Sequence, residues 1–420
     1  MPSEVKRDLA FAHEARICIQ CASCTSRCPS PLRITPNIRK MIRMVQLGMI
    51  EEVLQSDRLW ACALCLECCG YCPLGVKTCV IITSLREMAV ARGLLPKPAV
   101  YFTNNTLRRG RPLPLTPEEM TSWAQGLNLP RAGERIFYAG IYPMLDRAES
   151  LLRTSSKFSE SSFRLLSRFL IALQRFGLDK AVVRIGQRVK PGEEFRKSLI
   201  SSVKVLSRLG VDLAYLYEEE PWCGIDLHTY GLSDHFARHA EKVFRKFQEF
   251  GVKEIITPDT LSAFAFKNLY PQVIDSFDIE VKHFTEVVAE KLKDKKVSLK
   301  IDNTFIVYSD PCYLARHMGV IAEPREIIGK IKGARLREVE SSGLATRCDG
   351  GGGMEIILPK VAIEMAKARA EELMDIRPEM IVTACPVCVM MLKLGLEEID
   401  SHIEVVNIED LILRALGDKA

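Results

Sequence analysis

The chain has 420 residues, of which 47% are hydrophobic and 26% charged, with a formal net charge of +5. This length predicts two or three folded units, and this composition is typical of a globular protein. The small charge, with no basic stripe interleaved with aromatic residues, argues against nucleic acid as a partner. There is no apolar run near the ~18 residues that a membrane span needs, and the N-terminus lacks the apolar core of a signal peptide.

Cysteine usage predicts metal ligation. Fifteen cysteines, most of them in C-x2-C groups, are expected to bind metal in a reducing compartment and not to form disulfides. We therefore expect a cytoplasmic protein with no membrane segment of its own, though it could associate with a membrane-bound partner.

The first unit, residues 1–97, contains one cysteine motif twice. C-x2-C-x2-C-x3-C-P is formed by Cys18, Cys21, Cys24 and Cys28 with Pro29, and again by Cys62, Cys65, Cys68 and Cys72 with Pro73. This is the bacterial ferredoxin signature, in which the fourth cysteine of each run serves the other cluster. One such quartet could bind zinc, but two in the same frame, each followed by proline, favour two 4Fe–4S clusters. We assign Cys18, Cys21, Cys24 and Cys72 to one cluster, and Cys62, Cys65, Cys68 and Cys28 to the other.

The segments around these motifs have helical periodicity. Apolar residues between Ile38 and Leu54 recur at helical spacing, and a second helix is predicted from about Cys79 to Arg92. The first unit is thus predicted to be a helical ferredoxin domain. Residues 98–134, rich in proline and arginine, are predicted to be a linker that could lie on a partner.

The remainder indicates a diverged internal repeat, over residues 135–300 and 301–420. The separation from Trp222 to Asp259 equals that from Cys348 to Cys385. Short apolar runs alternate with amphipathic helices, which favours α/β units with parallel sheets. Residues 153–198 have no counterpart in the second half and are predicted to be a helical insertion. The expected fold class is therefore α+β multidomain, with two repeated α/β modules after the ferredoxin domain.

A third cysteine group lies in the second half. It consists of Cys312, Cys348, Cys385 and Cys388. This pattern resembles the cysteine-rich (CCG) domain of heterodisulfide reductases, whose signature is a lone Cys, a Cys-Cys-Gly and a C-x2-C at matching intervals. The N-terminal unit resembles the ferredoxin-type small subunit of the same enzymes, so the chain looks like the two subunits fused. In that family each intact module binds a cluster through five cysteines, and in the best-characterised members this is a non-cubane 4Fe–4S centre that splits a disulfide.

The first half departs from that family pattern. A single thiol cannot hold a cluster, so the resemblance implies a metal-free, degenerate module in which Trp222 fills the vacant site. The five family positions read Ile141, Trp222, Cys223, Asp259 and Ser262.

The second half departs at one position, where Asp349 replaces the second cysteine of the pair. Four thiolates remain, the number that one cubane needs, so we favour an ordinary 4Fe–4S cluster. A non-cubane centre that involves Asp349 stays open. Gly350 and Gly351 are expected to bring backbone N–H groups to the cluster sulfurs. His317 could protonate a substrate sulfur or simply contribute to packing.

The resemblance implies an oxidoreductase subunit of anaerobic redox metabolism. We expect an electron-transfer subunit of a heterodisulfide-reductase-like complex, either a relay or a site that also reduces a disulfide. Since the sequence has no dinucleotide or P-loop motif, a flavoprotein or hydrogenase-type partner is implied. The alternative is the iron–sulfur subunit of a hydroxy-acid or glycerol-3-phosphate dehydrogenase complex that feeds quinone.

Overall fold

The computed structural model describes residues 11–31, 37–175, 193–294 and 297–418. Among the described residues before residue 135, all regular secondary structure is helical, as the apolar spacing predicts. Met41, Ile42, Val53 and Leu54 pack into the core of this unit. Its helices are α1 (Ser23–Arg27), α2 (Ile38–Gln46), α3 (Ile50–Leu54), α4 (Glu67–Gly70), α5 (Thr78–Ala91), α6 (Lys97–Arg109) and α7 (Pro117–Thr121), with 3-10 turns at Asp57–Trp60 and Ser122–Ala124.

The segment expected to be a linker, residues 98–134, is largely folded. Helix α6 begins after Pro96 with a proline in its first turn, and it ends at Gly110, which takes a φ of +78°. Proline at the start of a helix and glycine just past its end are ordinary helix boundaries. The prolines and glycine that suggest a linker in the sequence therefore mark the two ends of α6. Trp123 is buried against Tyr215, with its indole N–H 3.3 Å from the phenol oxygen. This segment is therefore part of the packed core.

The first α/β unit is built on a three-stranded parallel sheet in the order β1-β2-β3. Strands β1 and β2 align Ile136 with Ile255, and both side chains are fully buried. The strands are β1 (Arg135–Phe137), β2 (Glu254–Thr257) and β3 (Glu280–His283). The helices are α8 (Tyr142–Ser155), α9 (Glu160–Arg175), α10 (Glu194–Arg208), α11 (Ile225–Thr229), α12 (Ser233–Glu249), α13 (Thr260–Phe264), α14 (Tyr270–Val273) and α15 (Phe284–Asp294), with a 3-10 turn at Tyr217–Glu219 and a π-helix at Ala265–Leu269.

The second α/β unit has a four-stranded parallel sheet in the order β5-β4-β6-β7. Ile306, Val307, Ile381 and Val382 form its buried centre, as expected for parallel strands covered on both faces. The strands are β4 (Leu299–Tyr308), β5 (Ile331–Arg337), β6 (Met380–Thr383) and β7 (Glu404–Asn407). The helices are α16 (Ala322–Gly329), α17 (Met354–Ile357), α18 (Pro359–Met374), α19 (Pro386–Glu397) and α20 (Ile408–Ala415), with a π-helix at Tyr313–His317 and a 3-10 turn at Gly343–Ala345.

The predicted helical insertion, residues 153–198, contains the end of α8, all of α9 and the start of α10; residues 176–192 lie outside the described ranges. Across the described part of the chain, no helix is both long enough and apolar enough to cross a bilayer.

The helical unit packs against the first α/β unit through a buried arginine. Arg86 on α5 is 2% exposed and donates hydrogen bonds to the carbonyls of Thr229, at 2.9 Å, and Cys62, at 2.6 Å. Opposite it, Gly231 lies so close that a Cβ atom there would be 2.7 Å from the Arg86 carbonyl carbon. The second cysteine loop is thus held against the α/β part of the molecule.

Candidate functional site

The structure gathers the first predicted quartet around one cavity. Cys18, Cys21, Cys24 and the distant Cys72 all line a small cavity of about 20 Å³. The first three come from one loop that leads into α1, and Cys72 follows α4. Ile42 on α2 also lines this cavity, so an apolar wall lies behind the thiols.

The second quartet lines a separate cavity of about 60 Å³. Cys62, Cys65 and Cys68 come from the second loop, and Cys28 comes from the end of the first. Burial raises the pKa of Cys28 to about 12, so this thiol is neutral until a metal displaces its proton.

Both cysteine loops contain left-handed residues at matching positions. Gln20 and Ala22 flank Cys21 with φ values of 60° and 72°, while Leu64 and Leu66 flank Cys65 with 53° and 63°. Such conformations cost about 1 kcal/mol or more for a residue that is not glycine. In both loops they occur on either side of the second cysteine of the motif. Backbone turns of this kind direct N–H groups toward an anion. The loops therefore fit an anionic thiolate-bound cluster.

Backbone donors already reach two of these sulfurs. The Leu64 N–H donates to Cys62 Sγ at 3.4 Å, and the Val76 N–H donates to Cys72 Sγ at 3.3 Å. Hydrogen bonds to cluster sulfurs stabilise the reduced, more negative state and tune the reduction potential.

The four cysteines of the second half converge at the carboxyl ends of two neighbouring strands. Cys312 follows β4, and Cys385 follows β6 and immediately precedes α19, whose first turn contains Cys388. Cys312 Sγ and Cys348 Sγ are 3.9 Å apart, and all four side chains are buried. The carboxyl edge of a parallel sheet is the usual position of a site in α/β folds.

Asp349 is part of this group and is 7% exposed. Its carboxylate is hydrogen-bonded to the Cys388 thiol and accepts the Gly351 N–H at 3.1 Å, while burial raises its pKa. The Gly350 N–H donates to Cys348 Sγ at 3.4 Å. A Cβ at Gly351 would lie 2.6 Å from Val387 Cγ1, so only glycine fits there. Gly350 thus brings its N–H group to a thiol, whereas the Gly351 N–H is directed to the Asp349 carboxylate.

Within the described residues, no three His, Cys, Asp or Glu side chains converge closely enough to hold a single metal ion. A cluster places iron and sulfide between its ligands, so its thiolates surround a larger body than one ion.

The second quartet and the third site lie next to each other. The neighbouring Cys348 thiol, together with burial, raises the pKa of Cys65. Cys65 belongs to the helical unit and Cys348 to the second α/β unit. The cysteine spacing in the sequence does not indicate this proximity, because the two residues are far apart in the chain.

Arg316 joins the loops on the two sides of that junction, and sequence reasoning missed it. Its guanidinium donates to the carbonyls of Cys65, at 2.5 Å, Leu344, at 3.1 Å, and Thr346. It follows Cys312 by four residues, in the π-helix, and irregular helices of this kind are frequent at functional sites.

His317, a candidate proton donor in the sequence, lies on the same junction. Its Nε2 is 2.9 Å from the Leu64 carbonyl, and its ring stacks on Tyr313 with centroids 4.3 Å apart. Burial lowers the pKa of His317 to about 4. These contacts support the packing role.

In the first α/β unit the corresponding positions form a hydrogen-bonded polar cluster. Asp259 accepts the Ile141 N–H at 3.0 Å and the Ser262 hydroxyl at 2.5 Å, and Ser262 Oγ also lies 3.3 Å from Cys223 Sγ. Trp222 is buried and donates its indole N–H to Asp226 at 2.7 Å. A network of carboxylate, hydroxyl and amide groups thus joins the loops.

A buried carboxylate in this network predicts a pH effect on stability. Glu220 accepts the N–H groups of Ala139 and Gly140, and burial raises its pKa to about 8 from an ordinary 4.5. The folded state therefore binds a proton that the unfolded chain has lost between these values, so the free energy of unfolding falls as pH rises through that window. We expect Glu220→Gln to flatten the fall in melting temperature between pH 5 and pH 8. The exposed Glu249→Gln should keep the parent profile, and identical slopes for Glu220→Gln and the parent would contradict the assignment.

Comparison with known proteins agrees with these sites. Residues 17–76 match the model of the 4Fe-4S dicluster domain, and residues 306–393 match that of the cysteine-rich domain. The chain is therefore an iron–sulfur protein that combines these two domains. It is similar to heterodisulfide reductase subunits and to related iron–sulfur oxidoreductases.

Three relatives indicate how far the similarity extends. One of the subunits of the dihydromethanophenazine:CoB–CoM heterodisulfide reductase from Methanosarcina barkeri is 31% identical over 223 residues, which cover 51% of this chain and 54% of the relative. The probable iron-sulfur-binding oxidoreductase FadF of Bacillus subtilis is 27% identical over 377 residues, 88% of this chain and 48% of the relative. EtfAB:quinone oxidoreductase of Syntrophomonas wolfei is 25% identical over 387 residues, with 89% and 49% covered. The chain spans about half the length of these curated relatives.

Proposed function

We propose that the chain is the electron-transfer subunit of a heterodisulfide-reductase-like complex, which passes electrons between a flavin-containing or hydrogenase-type partner and the third site. The observation that carries this proposal is the proximity of the second and third sites. Arg316 donates to the carbonyls of both Cys65 and Thr346, and Cys348 is near enough to Cys65 to shift its pKa. Electron transfer requires centres that are neighbours in this way. Relatives that are subunits of multisubunit reductases support a partner of this kind.

The proposal gives each cysteine group a role. The ligands of the first cluster are Cys18, Cys21, Cys24 and Cys72; those of the second are Cys28, Cys62, Cys65 and Cys68; those of the third are Cys312, Cys348, Cys385 and Cys388. Each 4Fe–4S cluster, when bound, accepts and releases one electron. The protein residues hold the thiolates in place, exclude water and supply N–H donors.

The first α/β unit has the role of a scaffold in this proposal. We infer that residues 135–300 are a degenerate copy of residues 301–420, since the strand run β1-β2-β3 has the same order and direction as β4-β6-β7. The bond from Ser262 to Asp259 stands where the second half has its C-x2-C pair. One thiol cannot ligate a cluster, so this unit contributes packing and partner contact.

Two versions of the third site remain distinct. As a relay it holds a cubane on four thiolates, and as a catalytic site it also splits a disulfide. Asp349 favours the relay, because its carboxylate accepts the Gly351 N–H at 3.1 Å. A carboxylate is also a harder ligand than the thiolates that iron prefers in sulfur-rich clusters.

A second candidate function is the iron–sulfur subunit of a dehydrogenase complex that delivers electrons to quinone. The similarity to EtfAB:quinone oxidoreductase over 89% of the chain favours it. Co-purification distinguishes the two. A flavin dehydrogenase of the hydroxy-acid type supports the second candidate, and a large flavin- and cluster-bearing subunit supports the first.

The proposal is tested by measuring the iron and acid-labile sulfide content of anaerobically purified protein. EPR spectra of the reduced and oxidised forms are recorded on the same samples. We expect about twelve irons and only reduced-cubane signals, which is what three ordinary 4Fe–4S clusters give. An additional signal on oxidation that shifts with added thiol would instead assign disulfide chemistry to the third site. About eight irons would contradict the third cluster.

A further inference from the structure

A cavity of about 280 Å³ lies beside the third site. Helices α6, α8 and α9 form most of its wall, and its lining is almost wholly apolar. Tyr101, Phe102, Phe158 and Phe163 supply four aromatic rings. A cavity of roughly 150 Å³ is known to hold a benzene ring, so this space takes a larger ring system, and aromatic walls favour a flat one.

One residue of the cavity lining belongs to the cysteine motif of the third site. Val387, which lines the cavity, lies in the chain between Cys385 and Cys388. Its Cγ1 atom packs against Gly351, where a Cβ would be 2.6 Å away. A ligand in the cavity therefore contacts Val387, which immediately precedes the proposed cluster ligand Cys388.

One ionisable group without an ion-pair partner shown in the structure borders the cavity. Glu355 is half-buried at the wall and accepts the Gly353 N–H on Oε2 at 2.7 Å. Burial raises the pKa of Glu355 to about 7. The other charged residue in the lining, Arg147, is ion-paired with Glu119. The cavity thus combines apolar walls with a carboxyl that exchanges a proton near neutral pH.

The outer wall of the cavity is an exposed apolar helix surface. On α9, Leu165 is 68% exposed, Phe169 is 60% exposed and Leu166, which also lines the cavity, is 39% exposed. Large apolar side chains at such exposures in one helix mark a contact surface.

We propose that the apolar cavity binds the ring of a lipophilic quinone. This inference rests on the second candidate of the proposed function, in which electrons pass to quinone, and it assigns that acceptor a binding site. Reduction of a bound quinone to the quinol takes up two electrons, which the flavin-class partner supplies. It also takes up two protons, of which the Glu355 carboxyl donates one and water the other. An apolar cavity beside an electron-transfer site, with one protonatable carboxyl, meets these requirements.

Equilibrium binding of decylubiquinone to the full-length, cluster-loaded protein tests the proposal by titration calorimetry. On α8, Ala148 lines the cavity and Ser150 is outside its lining. Ala148→Trp fills the space, and we expect the dissociation constant to rise at least tenfold. Ser150→Trp adds the same indole to the same helix and should bind like the parent. Leu170→Trp fills the cavity from α9 and replaces Ala148→Trp if that variant does not fold.

The outcomes separate this inference from the proposed function. Binding that is weakened by the cavity variants but not by Ser150→Trp supports the quinone site. Equal affinity for decylubiquinone in all variants overturns it. Equal affinity for decanoic acid and decylubiquinone also overturns it, since the cavity would then recognise the alkyl chain and not the ring. Protein with a full set of clusters and no quinone binding overturns the cavity inference and leaves the relay intact. Protein that binds quinone but lacks clusters overturns the relay alone.

Discussion

Cys348→Ser should reduce the iron content from about twelve to about eight atoms per chain, because a cubane that loses one of its four thiolates loses its site. The EPR signals of the two N-terminal clusters should persist. The substitution removes none of their eight cysteines, which line two other cavities. The measurement is iron and sulfide analysis with EPR of the dithionite-reduced protein.

Cys223→Ser is the matched control for this experiment. Cys223 is as buried as Cys348 and occupies the corresponding loop of the first α/β unit, but it has Ser262 beside it where the third site has a cysteine. We expect iron content and EPR spectra identical to the parent. Loss of iron from Cys223→Ser would mean that the first unit holds metal, and full iron in Cys348→Ser would remove Cys348 from the ligand set.

The N-terminal cysteine motifs could be recognised because their information is local, and that each set of four thiols holds a cluster stays a prediction. Spacing and the following proline define each loop, and the structure places each assigned set of four thiols at one cavity. The predicted helix from Cys79 to Arg92 corresponds to α5, which spans Thr78–Ala91. Periodicity of this kind depends on neighbours a few residues away, which the sequence states directly.

Residues 98–134 are predicted to be a linker, but the structure has helix α6 there. The prediction fails because the same residue types occur in linkers and at helix ends. Proline and glycine punctuate linkers and helix ends alike, and here they bound α6. The proximity of Cys65 to Cys348 and the apolar cavity next to Val387 depend on how three units pack. No local pattern encodes such packing, so both had to come from the structure.

Arg316→Met should lower both the stability of the protein and the reduction potential of the clusters beside it. The substitution leaves the carbonyls of Cys65, Leu344 and Thr346 without their donor, at a cost of roughly 3 kcal/mol in the free energy of unfolding. It also removes a positive charge next to two sets of thiolates. Since a reduced cluster is more negative than an oxidised one, we expect its potential to fall on the order of tens of millivolts.

Arg316→Lys separates these two effects. Lysine keeps the charge but lacks the planar fork that reaches several carbonyls at once. We therefore expect a loss of stability similar to that of Arg316→Met, together with potentials close to those of the parent. Redox titration followed by EPR and thermal unfolding of the same samples measure both quantities.

The exposed Arg335→Gln is the control for net charge, since its side chain is 59% exposed and forms only a long ion pair with Glu379. Its potentials should match those of the parent. Unchanged potentials in Arg316→Met would show that the residue only holds the loops together. If the reduction potential falls in Arg316→Met and returns to the parent value in Arg316→Lys, the positive charge at this position sets the potential of the neighbouring clusters. The same side chain would then both join the second and third sites and tune electron transfer between them.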